Sequence, residues 1–66
     1  MTKDSAIATA THCANTQGIT ILVYRDPIGC GEQEGFDTPW MYAPYATKDT
    51  IAPHREKEHD TVIKPE

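Results

Sequence analysis

Five side chains in this 66-residue chain carry thiol or imidazole donors: His12, Cys13, Cys30, His54 and His59. Four of them, Cys13, Cys30, His54 and His59, would make a tetrahedral zinc set, and bound zinc would add folding energy to a small chain. The spacing argues against it. Structural zinc sites usually present paired knuckles such as C-x2-C, whereas sixteen residues separate Cys13 from Cys30. His54 and His59, with four residues between them, match the second half of a zinc-finger pattern. The zinc-stabilised module is therefore the alternative reading. A Cys13–Cys30 disulfide would close a loop of about 17 residues and contribute about 3 kcal/mol in an oxidising setting. The N-terminus, Met1-Thr2-Lys3-Asp4-Ser5, lacks the apolar region of a secretion signal, so a reducing, cytoplasmic setting is expected.

Gly29-Cys30-Gly31-Glu32 invites a nucleophile reading, because flanking glycines expose a thiol. Nucleophilic catalysis also needs a base within reach and an oxyanion site, and no spacing supplies them. The glycines at 29, 31 and 35 miss the dinucleotide fingerprint, since Glu34 stands where the third glycine belongs. Asp26, Glu32, Glu34 and Asp37 lack the register of a calcium loop. No catalytic residue and no cofactor is expected, and the chain reads as a non-enzyme.

Ten acidic residues against six basic ones give a net charge of −4. Arg25, Asp26, Glu32, Glu34 and Asp37 place a local −3 on residues 25–37. There is no basic stripe to neutralise phosphates, which disfavours direct nucleic-acid binding and anionic membrane surfaces alike. No apolar run approaches membrane-spanning length; Ile21-Leu22-Val23-Tyr24 stops at four residues, and no run is longer. A larger protein with a basic surface fits the charge.

The remaining concentration of chemistry is aromatic. Phe36, Trp40, Tyr42 and Tyr45 are four of the five aromatic residues, and they fall within ten positions. Trp and Tyr dominate binding hot spots, yet a short chain also needs them for its core. A protein of this size buries only about 60% of its unfolded surface, and the apolar content here is a modest 38%. Packing of Trp40 and Tyr42 on Ile21 and Val23 is the rival use of those rings.

The elements that position these residues read as a small, single-domain, β-rich fold, frayed at 1–5 and 64–66. Ile19-Thr20-Ile21-Leu22-Val23-Tyr24-Arg25 is a β-branched strand ended by Asp26-Pro27. Before it, Asn15-Thr16-Gln17-Gly18 fits a type I turn, and Ile7 to Cys13 alternates. A hairpin over about 6–25 would then set Cys13 opposite Thr20, Thr11 opposite Leu22 and Thr9 opposite Tyr24. The competing reading makes residues 5–16 a helix, capped by Ser5, with Ala6, Ala10, Cys13 and Ala14 on one side and Gly18 after its end. The fold is an all-β meander in the first case and α+β in the second. Residues 26–39 read as a long loop, 40–46 as a strand confined to a sheet edge by Pro44, 47–50 as a turn, 51–52 as a short extended piece, and 61–63 as a last strand. Residues 54–60 are wholly polar and read as one helical turn or a solvated loop.

The function expected is a protein-binding module, an inhibitor or adaptor of the kind phages and mobile elements carry. It would dock through Phe36, Trp40, Tyr42 and Tyr45, with Glu32, Glu34 and Asp37 as an acidic rim.

Overall fold

The fold is α+β. A computed structural model describes residues 1–30 and 35–66, and of Cys30 only the backbone. The N-terminal hairpin and the all-β meander are corrected: residues Lys3–Gln17 form a 15-residue helix, α1. Ser5 is not its cap. Thr2 is, with its hydroxyl accepting from the Ser5 N–H at 3.2 Å. Gly18 closes the other end in the left-handed region (φ 66°), donating its N–H to the Ala14 carbonyl at 2.8 Å. Gly18 therefore serves a helix terminus rather than a hairpin turn.

What selects the helix is a stripe of alanines. Ala6, Ala10 and Ala14 recur every four residues and are fully buried. Having no side chain beyond Cβ, they let the helix backbone approach the sheet closely and lose no rotamer freedom on burial. Ile7 and Cys13 flank the stripe and pack on the same core. The threonines that favour a strand are accommodated locally, since the Thr11 hydroxyl donates to the Ile7 carbonyl one turn back at 2.8 Å.

Among the described residues the sheet has three antiparallel strands in the order β2-β1-β3, with β1 at Ile21–Arg25, β2 at Trp40–Pro44 and β3 at Thr61–Ile63. The register pairs Arg25 with Trp40, Val23 with Tyr42, and Ile21 with both Pro44 and Ile63. Partners in register share a face, so Ile21, Val23, Trp40, Tyr42 and Ile63 meet the alanine stripe and form the core. Leu22 and Tyr24 point the other way and are buried as well, which makes β1 a central strand covered on both faces.

Other expectations shift by a few residues. Tyr45–Thr47 leaves the sheet as a 3-10 turn, so the strand stops at Pro44 rather than 46. The loop over 26–39 contains a helical turn, α2, at Pro27–Cys30. Asp26 caps it, accepting the Gly29 N–H at 3.0 Å, and Pro27 occupies the first helical position. Residues 51–52 are not extended, and Ala52 has a positive φ of 39°. The polar segment folds into a 3-10 turn at Lys57–His59. Arg55 organises its surroundings: its guanidinium bonds Asp60 at 3.1 Å and donates to the Lys48 and Ile51 carbonyls at 2.9 and 3.2 Å.

Candidate functional site

The expected aromatic cluster divides into buried and exposed parts along β2. Trp40 is 3% exposed and belongs to the core, which removes its ring from the accessible surface. The physical reason lies in the register, which sets Trp40 on the face that α1 covers. Tyr42, two residues on, packs against the same core but stays half-exposed. Phe36 and Tyr45, by contrast, are 66% and 37% exposed, on either side of the strand in sequence. The Lys48 ammonium stands 5.6 Å from the centre of the Tyr45 ring, a cation–π distance.

Between them runs an open edge. The Asp26 N–H bonds the Pro39 carbonyl at 2.8 Å, and the Tyr45 N–H bonds the Thr20 carbonyl at 2.9 Å. Those two bonds fix the alternation of an antiparallel ladder. Met41 and Ala43 aim their backbone groups at β1, while Trp40, Tyr42 and Pro44 aim theirs outward. Met1 takes the start of this edge: its ammonium donates to the Thr38 carbonyl at 2.7 Å, and its carbonyl accepts from the Trp40 N–H at 3.1 Å. Among the described residues nothing pairs with the outward N–H and C=O of Tyr42. Pro44 has no N–H to offer, which limits the open stretch at its far end.

The loop before β2 is held by a charged network. The Asp37 carboxylate accepts from Arg25 Nε at 2.9 Å and, through its other oxygen, from the Trp40 indole N–H at 2.9 Å. Arg25 also grips the Glu56 carboxylate through Nη1. The bond from Trp40 and then the bond from Arg25 hold the Asp37 carboxyl below its ordinary value of 3.8. A carboxyl lowered in the folded state stabilises above its unfolded value, and that contribution disappears as pH falls through the folded one. Asp37→Asn is thus expected to flatten the loss of stability as pH falls below about 5. Urea titrations across that range, followed by Trp40 fluorescence, check it. An unchanged acid slope would show that Asp37 does not couple to folding.

Asp37 is consequently occupied internally and is only partly available as an acidic rim, while Glu32 and Glu34 lie outside the described residues. Of the alternative zinc ligands, Cys13 is a free thiol packed against the core from α1. His54 is exposed, and the Cys30 side chain lies outside the described atoms. His59 meets the Trp40 ring edge-on, with centroids 5.8 Å apart and planes at 67°. Among the described residues one trio of ligating side chains converges, Glu56, Glu58 and His59, and only the last belongs to the expected set. The network around Arg25 was not legible beforehand, because its partners are 12 and 31 residues away. No helix among the described residues is long and apolar enough to cross a membrane.

Comparison with protein-family models, curated proteins and solved structures returns no match.

Proposed function

We propose that this chain is a non-enzymatic protein-binding module that docks on a larger protein through the outer edge of β2. The observation that carries the reading is the outward backbone of Tyr42, which has no partner among the described residues, with exposed Phe36 before the strand and Tyr45 after it. An exposed strand edge is a template for an extended segment of another chain: main-chain bonds supply affinity, and flanking side chains supply selectivity. Rings of the size of Phe and Tyr make effective anchors because they bury much area at little entropic cost. The net charge of −4 favours a partner with a basic surface. An inhibitor or adaptor role, in the cytoplasm, suits such a surface.

Affinity capture from the native host, with the partner identified by mass spectrometry and then purified, provides the test. Phe36→Ala and Tyr45→Ala should each weaken the purified complex about tenfold or more, the loss expected of a hot-spot residue, with an unchanged circular-dichroism spectrum. Val62→Ser, on the opposite edge strand, should leave affinity intact. Full affinity in both ring variants would refute docking at β2.

A further inference from the structure

We infer that Glu56, Glu58 and His59 form a binding site for a borderline divalent cation of the zinc class, beside the Arg25 end of β1. One ligand atom from each lies within 4.8 Å of the other two. Zinc bonds of about 2.1 Å put donors about 3.4 Å apart, so small side-chain rotations close the set. Local backbone structure brings the donors together. In a 3-10 turn, residues three apart eclipse, and the His59 N–H bonds the Glu56 carbonyl at 2.9 Å, which stacks that pair on one side.

Contacts outside the trio orient two of its members. The Trp40 ring fixes the plane of the His59 imidazole from its edge. Arg25 holds the Glu56 carboxylate through Nη1, which reaches both oxygens; an ion takes one of them and leaves the other with the guanidinium, as outer groups do for ligating carboxylates. The Arg25 charge opposes a cation, so Glu58 and His59, both exposed, carry most of the affinity. One imidazole with two carboxylates suits zinc, nickel or copper rather than magnesium, which prefers oxygen donors and retains its waters. Three protein ligands leave a coordination position open. This set differs from the Cys13, Cys30, His54 and His59 arrangement in sharing only His59.

The single tryptophan, 5.8 Å from the His59 ring, is a built-in reporter. In a non-coordinating buffer at pH 7.5, nickel should quench Trp40 fluorescence at one saturable site. Zinc should reverse the quenching by displacement, and magnesium at the same concentration should not. Glu58→Gln and His59→Asn should each weaken nickel and zinc binding about tenfold or more, whereas His54→Asn and Cys13→Ser should leave it unchanged. Glu58 is exposed, so its variant keeps the test valid if replacing His59 disturbs the Trp40 contact. Absence of saturable quenching, or binding abolished by His54→Asn or Cys13→Ser but retained in Glu58→Gln, would overturn the site.

Discussion

Trp40→Ala is expected to destabilise the fold by about 3–5 kcal/mol, the usual cost of emptying a buried tryptophan site. Trp40 is the largest member of the core cluster, wedged between the alanines of α1 and the neighbouring strand. Its indole N–H also anchors Asp37, and its ring contacts His59 and, at 5.4 Å, the Lys3 ammonium. Removing it therefore opens a cavity and frees the loop before β2 together. Small domains hold only about 5–15 kcal/mol in total, and a chain of this length belongs at the low end. The variant should be largely unfolded at 37 °C, by circular dichroism and by chemical denaturation. A cooperative, near-native transition would move Trp40 out of the core and back among the surface anchors.

Ala10→Leu is expected to cost about 1–3 kcal/mol, and to do so although leucine is an excellent helix former. Ala10 sits midway along the buried stripe, with no exposed surface, in one core cluster with Ile21 and Val23. Three extra carbons there push α1 off the sheet, because the close approach depends on a side chain that ends at Cβ. Ala8, on the exposed side of the same helix, supplies the control: Ala8→Leu should change stability by less than about 0.5 kcal/mol. Thermal melts of the two variants side by side read the difference. Equal effects at positions 8 and 10 would mean that the stripe does not set the helix–sheet distance.

These two residues also mark what could be read from the chain and what could not. The strands were legible. Ile21-Leu22-Val23-Tyr24-Arg25 has the β-branched run of a central strand, and Pro39 and Pro44 bracket an edge strand that lies at the sheet edge. Residues 61–63 form the short strand expected of them. The first element was ambiguous for a physical reason. Gly18 supplies a positive φ whether it ends a hairpin turn or a helix, and threonines at 9 and 11 favour strands while alanines at 6, 10 and 14 favour a helix. Tertiary packing decided between them, because an alanine stripe has nothing to bury in a strand and a sheet to cover in a helix. The Asp26-Pro27 pair ends β1 and is also a helix start, with a capping carboxylate and proline at the first position.

The candidate site was legible only in part. Composition flagged the aromatic segment, but it could not divide the rings between core and surface. That division follows from a register of alternating residues and from which face α1 covers. Asp37 looked like part of an acidic rim, yet Arg25 and Trp40 both bond it. Its neutralisation by Arg25 is a long-range event that no local pattern announces. The converging donors Glu56, Glu58 and His59 come from one polar stretch, whose 3-10 turn at Lys57–His59 leaves little trace in sequence.

Amide hydrogen exchange at single-residue resolution tests docking at β2 most directly. In the isolated chain, the outward N–H of Tyr42 should exchange much faster than its neighbours at Met41 and Ala43, which bond to β1. In the purified complex with the captured partner, the Tyr42 amide should become protected while the amides of Val62 and Ile63 remain as they were. A Tyr42 amide that exchanges equally fast with and without the partner would contradict the account.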